Sequence, residues 1–170
     1  MPTQPLLIVL GGLPGSGKST IAKMLARQLA LVYVRVDEIE QALLRHLPDV
    51  DCGAAGYGIA YAMTSSNLAL GLGVVADSVN PVAASRAGWA AAGRHAAILK
   101  VEITCSDPAA HRRRVEQRSA DIDGHALPTW ADVLALAYEP WPDADLVIDT
   151  ASNSADDAVS RIVGAVARRS

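Results

Sequence analysis

Phenylalanine is absent from this 170-residue chain, and aromatic residues of any kind make up only 4 % of it. Any core must therefore be filled by Ala, Val, Leu and Ile. The aromatic interleaving on which single-stranded nucleic acids stack is missing too. Positive charge is in deficit: 15 Lys and Arg stand against 18 Asp and Glu, for a net charge of -3. That is not the basic footprint of a nucleic-acid binder. Cysteine is scarce, and the two thiols, Cys52 and Cys105, sit in neither a C-x-x-C pair nor a metal-ligand spacing. Long apolar runs are missing; Leu6–Leu10 is far shorter than the roughly 20 residues of a membrane span. Met1 to Gln4 carries no positively charged stretch of the kind that opens a secretory signal. These absences lead to the expectation of a soluble, cytoplasmic protein with no nucleic-acid and no membrane partner. Nothing in the sequence fixes an oligomeric state.

What is present is apolar content of 51 %, enough for an ordinary buried core, in a length that suits one domain over residues 1–170. Strand-length apolar runs alternate with longer segments of helical period. Strands are expected at Leu6–Leu10, Leu31–Val36, Gly73–Ala76, Ala97–Thr104 and Asp145–Ile148. Helices are expected over Ser19–Ala30, Asp37–Leu47, Ala60–Leu70, from Asn80-Pro81 to about Gly93, and from Asp107-Pro108 to about Arg118. A short helix from Thr129 and a last one from Ser154 complete the set. Asp37 with Glu40 has the spacing of a capping box, and Asn80-Pro81 has the cap-then-proline form of a helix start. Alternation of this kind implies an α/β fold, a five-stranded parallel sheet covered by helices on both faces.

Gly12-Leu13-Pro14-Gly15-Ser16-Gly17-Lys18-Ser19 fits G-x-x-x-x-G-K-[ST] at every fixed position, with an apolar strand before it and an amphipathic helix after it. A triphosphate needs several backbone N–H donors converging on its oxygens, and glycines let the chain curl that closely. The helix that follows points its N-terminal donors and partial positive charge at the anion. The pattern therefore predicts that Gly12, Gly15, Ser16, Gly17, Lys18, Ser19 and Thr20 bind ATP. Lys18 would reach the β- and γ-phosphates, the Ser19 hydroxyl would hold Mg²⁺, and Thr20 would bond the α-phosphate.

With that loop, the chain resembles the small P-loop kinases, among them the gluconate, shikimate, adenylylsulfate and chloramphenicol kinases. Val34-Arg35-Val36-Asp37-Glu38-Ile39-Glu40 is similar to their second strand. Val74-Val75-Ala76-Asp77-Ser78-Val79-Asn80-Pro81 with Arg86 is similar to their third strand and the loop after it. Arg114 to Arg118 and the polar stretch beyond resemble their arginine-bearing helix and lid. The chloramphenicol phosphotransferase pattern, with Val-Asp closing strand two, stands nearest. The resemblance implies a three-layer P-loop fold and transfer of a phosphoryl group to a hydroxyl of a small molecule.

Candidate residues follow from position. Ligands of parallel sheets lie beyond the carboxyl ends of the strands. There Asp37 can act as general base for an acceptor hydroxyl; the competing reading makes it only a helix cap. Asp77 closes an apolar strand in the Walker B layout and would hold Mg²⁺, contact the acceptor, or serve as a turn residue. Arg86 is either an acceptor anchor or a surface residue. Arg114 and Arg118 lie four apart on one helix face, where they can stack on adenine and neutralise charge on the phosphoryl group, or simply face solvent. Residues 119–128 would form a short lid that excludes water. His111 and His125 read as surface histidines, and Tyr57, Tyr61, Trp89 and Trp130 as packing residues near an acceptor pocket. The readings that compete with a small-molecule kinase are a nucleotide-switched protein acting through a protein partner, a toxin-like nucleotide-sugar kinase, and an adenylylsulfate kinase, whose S-P…R stretch Asn80-Pro81…Arg86 partly matches.

Overall fold

In the computed structural model, residues 4–49, 51 and 53–169 are described; Cys52 lies outside them. The first strand, β1 (Leu6–Gly11), is buried from Leu7 onward, as the central strand of a parallel sheet must be. It leads through the glycine-rich loop into α1 (Lys18–Gln28), then β2 (Val32–Arg35), α2 (Val36–His46), α3 (Ala55–Ala69), β3 (Val74–Asp77) and α4 (Ala83–Ala92). The chain continues through β4 (Ala97–Thr104), α5 (Pro108–Gln117), α6 (Trp130–Ala135), β5 (Leu146–Asp149) and α7 (Ala155–Ala167). All strand pairs are parallel, in the order β2-β3-β1-β4-β5. Every strand therefore ends on the same edge of the sheet.

Two apolar layers cover the sheet. On one face Ile21, Ala22 and Leu25 of α1 and Val159, Ile162 and Ala165 of α7 pack on Ile8, Leu10, Val75, Val101 and Ile103. On the other, Ala60 and Leu68 of α3 and Trp89 of α4 pack on Leu7, Val9, Val34, Val74 and Ala76. Side chains that alternate along each strand thus enter opposite layers, as the strand period requires.

The helix starts follow local chemistry in some places and not in others. Asp107 caps α5 by accepting from the backbone N–H of Ala109 (2.9 Å) and Ala110 (3.1 Å), and Ser154 with Asp157 forms a capping box on α7. The expected box of Asp37 and Glu40 is not formed: α2 begins one residue after β2 ends, its cap position is Arg35, and no side chain caps it. Asp37 consequently sits inside the first turn, with its carboxylate left for other partners. The expected start at Asn80-Pro81 moves to Ala83. Asn80 adopts a left-handed conformation (φ 52°) and is fully buried. Its Nδ2 donates to the Leu10 carbonyl at 2.8 Å, its Oδ1 accepts from Trp89 Nε1 at 2.7 Å, and its N–H donates to the Tyr57 hydroxyl at 3.0 Å. These bonds hold the chain in a loop where a cap would have begun a helix.

Candidate functional site

The phosphate loop is set by conformations that only glycine adopts easily. Gly12, Gly15 and Gly17 have φ of 143°, 81° and 99°, and a Cβ on Gly12 would lie 2.1 Å from the Ile103 carbonyl oxygen. Main-chain and buried side-chain bonds then fix the curl. Gly12 N–H donates to the Val79 carbonyl at 3.0 Å, and His111 Nε2 lies 2.8 Å from the Pro14 carbonyl. The Thr150 hydroxyl reaches the carbonyls of Ser16 (2.8 Å) and Thr104 (2.9 Å). His111, expected at the surface, is 6 % exposed and packs its ring edge-on against Trp130. Its partner lies 97 residues away, so no local pattern marks it.

One cavity of about 530 Å³ opens over this loop. It brings together Gly15, Gly17, Lys18, Ser19 and Thr20 of the loop, Asp37 at the start of α2, and Arg114 and Arg118 of α5. Arg35, Asp121 and His125 also line it. Gly12 and Ser16 face a smaller cavity of about 300 Å³ behind the loop, beside Thr104, Cys105 and Tyr138. There the Ser16 hydroxyl is buried without a partner.

Burial pushes the Lys18 ammonium below its ordinary range; the charges of Asp77 and Asp37 pull it back. An anion delivered to the loop would restore the balance. Asp77 does not reach the cavity wall. It is 1 % exposed at the end of β3, its Oδ2 accepts from the Tyr33 hydroxyl at 2.8 Å, and its Oδ1 is buried with no partner. The Tyr33 phenol is raised by burial and then by the Asp77 charge, so it stays a donor.

Arg35 lies beside Asp77 in the sheet register and is 8 % exposed. Four carboxylates surround it: Asp121 at 2.9 Å, Asp37 and Asp77 at 3.7 Å, and Glu38 at 3.9 Å. Burial opposes its charge, but the Asp121 hydrogen bond and the neighbouring carboxylates raise its pKa overall. Sequence reasoning passed over both Arg35 and Tyr33, because each acquires its meaning only when the strands are in register.

The arginines divide by role. Arg114 donates to the Thr150 hydroxyl at 2.7 Å and the Thr150 carbonyl at 2.9 Å, tying α5 to the end of β5. Arg118 keeps Nε and Nη2 buried and without partners, and burial pulls its pKa down while Asp37 opposes the shift. Arg86 lies outside the cavity. Its guanidinium donates to the carbonyls of Asn80 (2.9 Å), Glu139 (2.6 Å) and Pro140 (2.6 Å) and covers the rings of Tyr138 and Trp141. Those bonds leave it fastening a loop rather than facing an acceptor.

Among the described residues, no group of three or more His, Cys, Asp or Glu side chains could hold a metal ion by itself. None of the described helices is long and apolar enough to cross a membrane.

The family model of the AAA domain matches residues 7–137. No curated protein matches the chain. Among solved structures, a protein of Chloroflexus aurantiacus provisionally assigned as a kinase superposes with a TM-score of 0.72 at 18% identity, covering 95% of this chain and 98% of that one. A gluconokinase of Sinorhizobium meliloti gives 0.67 at 17% identity, covering 98% and 94%. An APS kinase of Mycobacterium tuberculosis, solved with AMPPNP and APS, gives 0.65 at 18% identity, covering 97% and 99%. At these identities the likeness establishes the fold, which is the three-layer α/β fold implied by the sequence.

Proposed function

We propose a function from this premise: the chain belongs to the AAA domain family, and its cavity is suited to moving a phosphoryl group. The chain is a small P-loop kinase that carries the γ-phosphoryl of ATP to a hydroxyl of a small molecule. One observation carries this reading. The loop that would hold the phosphates, a carboxylate that caps nothing, and a guanidinium with unpaired donors all line the same cavity. Structural neighbours named as a gluconokinase and an APS kinase support a small acceptor.

Backbone N–H groups of Gly15, Gly17, Lys18 and Ser19 bind the phosphate oxygens, and Lys18 neutralises the γ-phosphate. Asp37 accepts the proton of the acceptor hydroxyl as its oxygen bonds to the γ-phosphorus and the bond to the β–γ bridging oxygen breaks. Arg118 turns its free donors to the charge that gathers on the transferred group. Residues 119–128 cover the cavity as a lid and exclude water.

The Ser19 hydroxyl, which lines the cavity, is a hard oxygen donor that suits Mg²⁺; phosphate oxygens would fill further positions, and the partnerless Oδ1 of Asp77, which does not line the cavity, would act on the ion through water. When bound, the ion would neutralise charge on the phosphates.

The test is phosphoryl transfer from radiolabelled Mg·ATP to a library of hydroxylated metabolites and antibiotics. Acceptor-stimulated turnover that the Asp37→Asn variant loses, with nucleotide affinity retained, is the expected result. Steady hydrolysis indifferent to every compound would instead identify a nucleotide-switched protein.

A further inference from the structure

Residues 119–128 join α5 to α6 without regular structure, yet they are not loosely draped. Ile122 is 8 % exposed, and Gly124, at φ 73°, packs next to Gln41 of α2. Asp121 is the fastening point. One of its oxygens accepts from Lys23 Nζ of α1 at 2.5 Å, and both accept from Arg35 Nη1 at the end of β2, at 3.0 and 2.9 Å. The segment is thereby joined to the helix behind the phosphate loop and to the strand that ends beside Asp37. His125 and Leu127 line the cavity from this segment.

We propose that Asp121 is a positioning residue for phosphoryl transfer: by its paired contacts with Lys23 and Arg35 it latches the lid over the cavity. The proposal builds on the kinase reading for its purpose but not for its geometry. A lid fastened in this way acts as a gate. Nucleotide enters only when the two ion pairs open, and the roof is already in place once it is bound. Lys23 and Asp121 are 38 % and 45 % exposed at the side chain, so salt reaches the latch and loosens it, which it would not do to apolar packing.

The test uses the full chain without nucleotide. Amide hydrogen exchange of residues 121–125 is expected to be slow at low salt and to accelerate in 0.5 M NaCl, a concentration at which the screening length falls to about 4 Å. In Asp121→Asn exchange should be fast, by about threefold to tenfold, at both salt levels; Asp121→Glu should restore both the protection and its salt sensitivity. Lys23→Ala, which leaves the cavity wall intact, should reproduce part of the loss. Stopped-flow association of Mg·AMPPNP, followed by Trp fluorescence, should speed up by a similar factor in Asp121→Asn. Circular dichroism establishes that each variant is folded. Equal exchange and equal salt response in wild type and Asp121→Asn would overturn the latch. Absence of any Mg·AMPPNP binding alongside the expected exchange pattern would overturn the kinase reading and leave the latch standing.

Discussion

The two halves of the cavity are built from different materials. On the phosphate side the groups that would meet a ligand are main-chain amides, and their geometry is held through main-chain carbonyls, that of Val79 bonded by Gly12 N–H and those of Pro14, Ser16 and Thr104 by the buried, uncharged contacts of His111 and Thr150. On the other side the wall is made of charged side chains: Arg35 is paired with Asp37 and Asp121, and Arg118 keeps buried donors without partners. The first kind of site fails through shape and the second through charge. Substitutions that leave charge untouched should therefore damage the first, and substitutions that leave shape untouched should damage the second.

The largest effect should come from Gly12→Val, which preserves every charge. With 2.1 Å between the new Cβ and the Ile103 carbonyl the loop must move, and calorimetric heat with Mg·ATP is expected to vanish while helix content by circular dichroism stays near that of wild type. Asp37→Asn preserves shape on the other side. Its acceptor-stimulated turnover should fall by about 10²–10⁴-fold with the dissociation constant for Mg·ATP unchanged, as loss of a general base demands. Weakened binding with unchanged turnover would reverse the division between the halves. Thr150→Val sharpens it from the phosphate side: the Ser16 carbonyl and Arg114 lose a buried partner, at a cost of about 1–3 kcal/mol in urea unfolding.

The smallest effect concerns acid. The Lys23 hydrogen bond and then the Arg35 guanidinium hold the Asp121 carboxyl down at about 2 from its usual 3.8. A carboxylate whose folded value is depressed contributes stability above its unfolded value and loses it as pH falls through the folded one. The melting-temperature gap between wild type and Asp121→Asn should be steady above about pH 4 and shrink from there toward pH 2. A gap that instead closed near neutral pH would mean that the carboxylate is not what holds the segment.

The same division decides what could be read from the chain beforehand. Gly12, Gly15 and Gly17 announce a phosphate loop because the backbone demands them, and the alternation of apolar periods is enough to place five strands and seven helices in order. Side-chain architecture left no such trace. The partner of Tyr33 lies 44 residues away, that of Arg35 86 and that of Thr150 134. Asp77 ends a strand, but Asp121 lies in the segment after α5 and Ser16 in the phosphate loop, so each pairing arises only when the fold brings distant segments together. Local rules also misled where tertiary bonds outweighed them: Asn80 has the side chain of a helix cap, but three buried partners hold it in a left-handed loop. Asp37 and Glu40 have the spacing of a box, but α2 starts straight from the strand and leaves no cap position for Asp37.

Asn80 carries a consequence for how the molecule comes apart. A single side chain bonds the central strand through Leu10 and helix α4 through Trp89, and its backbone N–H meets the Tyr57 hydroxyl of α3. The outer helical layer therefore cannot peel from the sheet without stranding buried donors and acceptors on both. Native-state exchange should find α3, α4 and β1 opening as a single cooperative unit rather than in sequence.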